Sequence, residues 1–144
     1  MTRAQRTLLG AFLAVAAAVA LWQLRPAADP RGEAPQGPSD DATIARLFAE
    51  RRSDEMVEVE GVVERTLSDD RRGSPHQRFI LRLANGMTLL VAHNIALAPR
   101  VDLAPGDRVR VRGEYAWNPE GGVVHWTHAD PDGDHPPGWV RVLP

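Results

Sequence analysis

The sequence predicts an all-β domain with one short helix, and three observations predict it. From Met56 onward, apolar and polar residues alternate with a period of two, as in half-buried strands. Short turns separate these segments, which is typical of antiparallel pairing. Gly61 and Gly113 fall inside strand segments, where a small barrel must bend sharply. These features favour a five-stranded OB-like barrel; the connection before Asp107 disfavours the alternative, an open SH3-like barrel.

The first predicted element of this domain is a helix over about Asp41 to Arg52. Asp40 and Asp41 can cap its N-terminus, because a carboxylate there accepts hydrogen bonds from free backbone N–H groups. Apolar residues then recur at i, i+3 and i+4, which gives one apolar stripe for packing against the sheet: Ile44, Leu47 and Phe48.

Five strand segments follow, and the end of the chain adds a short strand or a strand extension. The segments are MVEVEGVVERTL, QRFILRL, MTLLVAH, RVRVRGEY and VVHWTH, with GWVRVLP last. SDDRRGSP is a loop by composition, and Asn85-Gly86 predicts a tight hairpin. Alternation predicts these inward-facing side chains: Val59, Val63, Phe79, Leu81, Leu83, Leu89, Val91, Val109 and Val111.

The N-terminal segment predicts export of the domain. Residues 7–24 are uncharged and apolar, with Arg3 and Arg6 before them and Arg25 after them. We expect an uncleaved membrane anchor; the alternative is a signal peptide cut after Ala18-Val19-Ala20. The predicted location is the cell envelope, either anchored in the inner membrane with the C-terminal domain in the periplasm or secreted to the periplasm.

Three regions are therefore expected along the chain. Residues 1–25 are the anchor or signal peptide, residues 26–40 are a Pro/Gly-rich linker, and residues 41–144 are the barrel domain. The absence of cysteine excludes disulfides and thiolate chemistry. A formal net charge of -2 gives no strong nucleic-acid footprint. The expected partners are the membrane, through the N-terminal helix, and a small polar ligand or an oligomer.

The segment HWTHADPDGDH, residues 125–135, is the richest in side chains that can do chemistry. It holds three His and three Asp in a chain with five His. His125, His128, Asp130 and His135 are candidate ligands of a divalent metal such as zinc. Residues three apart on a regular strand point to opposite faces, so His125 and His128 converge only if the strand ends near Trp126. The alternative is a solvated polar loop.

A ligand site is the second hypothesis for the same region. Aromatic and imidazole side chains could stack on, or hydrogen-bond to, a sugar or a base. The candidate residues are His76, Arg78, His93, Asn94, Trp117, His125, Trp126 and His128.

The sequence also matches a family pattern. The matching blocks are HQRFIL at His76–Leu81, TLLVAHNIALAPRV at Thr88–Val101, GEYAWN at Gly113–Asn118, GGVVHWTHADP at Gly121–Pro131 and GW at Gly138–Trp139. Over about residues 41–144 they resemble the bacterial family filed as domain of unknown function 3465. The resemblance implies a small exported bacterial domain, and it implies no activity and no catalytic residues.

These observations together predict an exported OB-like binding module whose polar His/Trp site takes a saccharide or a nucleic acid. The alternative function is a metal-dependent hydrolase of phosphodiesters. In that alternative, an arginine such as Arg78 would clamp phosphate and a carboxylate such as Glu60 would orient water. Arg/Glu alternation on exposed strands is more often simple cross-strand charge pairing.

Overall fold

The computed structural model describes residues 40–144, which contain one helix and six strands. The helix, α1, spans Asp40–Ala49. The strands are β1 (Glu55–Asp70), β2 (His76–Arg82), β3 (Thr88–Asn94), β4 (Arg108–Ala116), β5 (Val123–His125) and β6 (Trp139–Val142). The chain is thus mostly β with one short helix, as the sequence predicts.

Five of the strands close into a ring. The order is β1-β2-β3-β5-β4, and β4 pairs back onto β1. All the pairings are antiparallel except β3 with β5, which is parallel. Strand β6 is outside the ring and pairs with the first half of β4, from Val109 to Arg112.

The long strand β1 makes this closure possible because it pairs with two partners in turn. Its first half pairs with β4 from Glu55 to Val62, and its second half pairs with β2 from Val62 onward. At the crossing, a Cβ atom on Gly61 would lie 2.5 Å from the carbonyl oxygen of Arg82. Only glycine therefore lets the two backbones approach this closely.

The ring interior is filled by the alternating apolar side chains, and the predicted register is confirmed. All nine side chains predicted to face inward are buried, and Leu81 is 0% exposed. Its neighbour Arg82 is exposed on the outside. Tyr115, Val57 and Val124 complete the interior together with Ile44 and Leu47 of α1.

Helix α1 is shorter than the sequence predicts, and Arg51 explains where it ends. Arg51 takes a left-handed conformation with φ 52°. The N–H of Arg52 then donates to the carbonyl of Leu47 at 3.0 Å, and the N–H of Arg51 donates to that of Phe48 at 3.2 Å. This pattern closes a helix C-terminus and makes continuation to Arg52 impossible.

Two strand boundaries also differ from the sequence prediction. Strand β1 continues through Asp70, into the segment predicted as loop, because a bulge between Leu67 and Asp70 restores pairing with His76. Strand β5 ends at His125 and not at His128, because Trp126 has φ 54°, which no strand residue adopts.

The predicted N-terminal anchor and linker, residues 1–40, lie outside the described residues except for Asp40, which is the first residue of α1 and not part of a linker. Within residues 40–144 there is no helix that is long and apolar enough to cross a membrane.

Replacing Leu81 by Ala tests the packing of the ring. We expect the free energy of unfolding to fall by roughly 2–5 kcal/mol, because the change empties part of a closely packed interior. The control is Leu97→Ala, since Leu97 is 47% exposed; it should change stability by less than about 0.5 kcal/mol. Urea unfolding followed by circular dichroism measures both. Equal effects of the two substitutions would contradict the packing.

Candidate functional site at the histidine-rich end of the ring

The segment after β5 folds into a closed loop, residues 126–138, at one end of the ring. Its two ends are tied together because the N–H of Gly138 donates to the carbonyl of His128 at 2.9 Å. Asp130 organises the tip: its carboxylate accepts from the backbone N–H groups of Asp132, Asp134 and His135 at 3.2, 2.9 and 2.8 Å. These bonds lower the pKa of Asp130, the largest effect being that of His135. The Asp130 carboxylate thus holds the turn together through three hydrogen bonds to backbone N–H groups.

The loop returns His135 to the sheet beside Glu114 of β4. His135 Nε2 lies 2.7 Å from one oxygen of the Glu114 carboxylate. His125, which pairs with Glu114 across the β4–β5 ladder, places its Nε2 3.4 Å from the other oxygen. Two imidazoles therefore converge on one carboxylate that is 18% exposed.

Geometry fixes the protonation state of His135. Its Nδ1 lies 2.8 Å from the carbonyl oxygen of Pro136, and its Nε2 faces the Glu114 carboxylate. Both oxygens can only accept hydrogen bonds, so both ring nitrogens must carry a proton. In agreement, the hydrogen bond to Glu114 raises the pKa of His135 above its ordinary value. Glu114 and His135 form a charge-assisted pair.

Trp126 supports this pair from the side. Its ring stacks on the His135 imidazole with centroids 4.1 Å apart and planes 13° apart. The His128 ring is tilted against the same indole at 5.2 Å. A protonated imidazole against an indole face gains cation–π attraction as well as contact area. Trp126 therefore orders the two histidines, and one of its faces is already covered.

His93 and Thr127 form a second, buried polar group behind the first. His93 Nε2 donates to the carbonyl of Pro99 at 3.0 Å, and its Nδ1 lies 2.8 Å from the Thr127 hydroxyl. Burial lowers the pKa of His93, so the ring is neutral and Thr127 donates to it. His93 thus joins the β3–β4 connection to the loop after β5.

All five histidines of the chain gather at this end of the ring. Burial lowers the pKa of His125, Glu114 opposes that shift, and the charges of His135 and His76 add to it. His128 and His76 likewise lower the pKa of His93. Histidines from β2, β3, β5 and the loop are therefore within electrostatic reach of one another.

Two of these histidines are oriented by backbone carbonyls. His76 Nδ1 donates to the carbonyl of Ser74 at 2.7 Å, and His128 Nδ1 donates to that of Ala129 at 2.7 Å. In each neutral ring the proton is therefore on Nδ1, and Nε2 has a free lone pair.

The other predicted ligand-binding residues have different surroundings. Trp117 is on the α1 side, where its indole N–H donates to the carbonyl of Phe48 at 3.0 Å and its ring stacks on Phe48. Asn94 uses its side-chain oxygen to accept from the N–H of Ala96 at 2.9 Å, a local turn. Arg78 donates to the carbonyl of Ser68 and lines a groove beside β1.

The four predicted metal ligands do not meet at one point. His125 and His135 share Glu114, His128 packs against Trp126, and Asp130 binds backbone N–H groups. Within residues 40–144 no group of three or more His, Asp or Glu side chains is arranged to hold a metal ion. A divalent cofactor and the metal-dependent hydrolase remain predictions from the sequence, with no observation in the described part of the chain that favours them.

The sequence hypotheses missed two central residues, Glu114 and Thr127. Alternation along β4 was a usable signal for Glu114, since it follows Arg108, Arg110 and Arg112 on the outward face. The contact of Glu114 with His135, 21 residues away, had no such signal.

The fold and this site define a small β-ring domain with a histidine-rich end. Residues 33–143 match the family described as "Protein of unknown function (DUF3465)". Because this match covers most of the 144 residues, the chain belongs to that family, and the resemblance read from the sequence blocks is confirmed. No curated protein matches the chain.

The shifts of His93, His125 and His135 predict that the contribution of these histidines to stability is greatest close to pH 6.5, the ordinary pKa of an unperturbed histidine. His135 has a raised pKa, so its contribution is present below pH 6.5 and is lost as the pH rises through that raised pKa. His93 and His125 have lowered pKa values, so stability is lost as the pH falls below 6.5 and the unfolded chain takes up protons first.

Urea unfolding between about pH 5 and pH 8 measures how the free energy of unfolding depends on pH. NMR titration of the imidazole signals shows which histidine is responsible for each change. In the Glu114→Gln variant, the pKa of His135 should fall and the loss of stability on the alkaline side should shrink. A pKa of His135 at or below 6.5 in the wild-type chain would contradict the ion pair.

Proposed function

We propose that the protein is a saccharide-binding module of the bacterial cell envelope, built on an OB-like barrel. Three features of the ring support the barrel: the strand order β1-β2-β3-β5-β4, the parallel pairing of β3 with β5, and the long strand β1 that pairs with both β2 and β4. OB-folds commonly bind oligosaccharides or oligonucleotides. The assignment to the envelope comes from the apolar residues 7–24 and the arginines that flank them.

The observation that carries the proposal is the convergence of His125 and His135 on Glu114 at a partly open surface. A carboxylate has about four lone-pair positions, and His135 uses one of them through a good hydrogen bond. The Nε2 lone pair of His76, a partly exposed side chain, adds an acceptor at the same end of the ring, whereas His128 is buried. This end is therefore rich in acceptors, and sugar hydroxyls are donors that match them.

The same charges favour a saccharide over a nucleic acid. Glu114 would repel phosphate, and residues 41–144 hold 16 acidic residues against 13 arginines. With this excess of acidic residues, the electrostatic part of nucleic-acid binding is small.

Trp139 adds apolar surface beside the polar groups. It pairs with Arg112, two residues before Glu114 on the same outward face of β4, and the Arg141 guanidinium lies 4.1 Å over its ring. Aromatic surface with a few fixed polar groups is the usual composition of a small-ligand site.

The test is binding of the full-length chain, purified in a neutral detergent without sugar groups, to an array of neutral oligosaccharides. A retained oligosaccharide is then titrated by calorimetry against wild type and Glu114→Gln. We expect the substitution to weaken binding by about tenfold or more, because it removes the charged acceptor. Glu120→Gln is the matched control, since Glu120 is an exposed residue of the β4–β5 turn. The affinity of this variant for the oligosaccharide should equal that of the wild type.

Three results would contradict the proposal. The array could retain no oligosaccharide, Glu114→Gln could bind as tightly as wild type, or both Glu substitutions could weaken binding equally. Tighter binding of an oligothymidine strand than of every saccharide would favour the nucleic-acid alternative.

A further inference from the structure

A groove lies between strands β1 and β2 and the β3–β4 connection, residues 95–107. Its volume is about 530 Å³, and Thr66, Gln77, Arg78, Arg100 and Asp102 supply its polar lining. This volume is within the roughly 300–1,000 Å³ range of small-ligand sites. No residue of the Glu114 site lines it, so it is a separate feature of the molecule.

Arg78 is held in place while most of its donors stay free. Its Nε and one Nη donate to the carbonyl oxygen of Ser68 at 3.0 and 2.9 Å. Three of the five guanidinium N–H groups remain. Among residues 40–144 no carboxylate forms an ion pair with Arg78. The nearby Asp70 pairs with Arg72 instead. Arg78 is therefore an oriented cation that no carboxylate of residues 40–144 binds directly, although its charge contributes to lowering the pKa of Asp70.

Arg100 is presented to the groove by a connection that is fixed on both sides. The Gln77 side chain donates to the carbonyl of Val101 at 2.8 Å and accepts from its N–H at 2.9 Å. His93 holds the carbonyl of Pro99. Arg100 itself forms an ion pair with Asp69. The backbone around Arg100 is thus fixed on this wall without any ligand.

We propose that this groove binds the phosphate group of a small ligand between Arg78 and Arg100. A guanidinium has the planar donor geometry that matches phosphate oxygens. Thr66 adds a hydroxyl, and the second N–H of the Gln77 amide adds another donor. Asp102 is the one carboxylate in the lining, and it is exposed. Its negative charge opposes the binding of a phosphate. Removing that charge should therefore tighten binding, whereas removing the charge of Arg78 should weaken it.

The experiment compares ribose 5-phosphate with ribose on the full-length chain, by calorimetry in a phosphate-free buffer at low ionic strength. Ribose 5-phosphate should bind, and ribose should not bind at the same concentration, because only the phosphate meets the guanidiniums. Arg78→Gln should weaken binding by about tenfold or more, since charged hydrogen bonds are lost. Asp102→Asn should tighten binding.

Arg82→Gln is the matched control, because Arg82 is exposed at the other end of the same strand. It should bind ribose 5-phosphate as wild type does. Glu114→Gln should also leave this binding unchanged, so failure of the saccharide proposal and failure of this one can be told apart. Thermal unfolding of each variant checks folding; Asp102→Asn, an exposed change, keeps the test valid if Arg78→Gln is unstable.

The inference is overturned if wild type binds neither compound, or binds both equally. It is also overturned if Arg78→Gln and Arg82→Gln have the same affinity, or if Asp102→Asn weakens binding.

Discussion

The pairing of strand β1 with two partners is the constraint on which the rest of the structure depends. Its first half pairs with β4 and its second half pairs with β2, so one continuous strand sets the relative position of both partner strands. The crossing is possible because Gly61 lets the backbone of Arg82 approach. Glu114 is on β4 and Arg78 is on β2, and both candidate sites therefore inherit their geometry from this one strand.

Polar side chains, and not extra secondary structure, hold the long connections of this small domain. Asp130 ties three backbone N–H groups of the loop after β5, and Gln77 makes a two-bond contact with Val101 that resembles a backbone pair. Gln77 is buried, and a buried polar group is stabilising only when its hydrogen bonds are satisfied, as they are by Val101. The result is that irregular segments present His135 and Arg100 in defined positions.

The sequence predicted the interior well because strand alternation is local. A period of two places Leu81 inside and Arg82 outside without knowledge of any partner strand. It predicted the histidine-rich end only in part: the gathering of the histidines follows from strand ends meeting at one rim. The pairing of His135 with Glu114 depends on the left-handed backbone of Trp126 and on the Asp130 turn. Neither feature produces a periodic pattern in the sequence. The sequence therefore could not predict that Glu114 is the partner of His135.

The shortest strand pairing in the ring is the one between β3 and β5. Strand β3 meets β5 over two residue pairs, whereas β1 meets β4 over eight. The bond between the His93 imidazole and the Thr127 hydroxyl crosses from the end of β3 to the second residue beyond β5. It adds a side-chain hydrogen bond to this short pairing. On this side of the ring, the sheet formed by β1, β2 and β3 is therefore joined to β4, β5 and β6 through this short pairing and through a bond made by one of the five histidines.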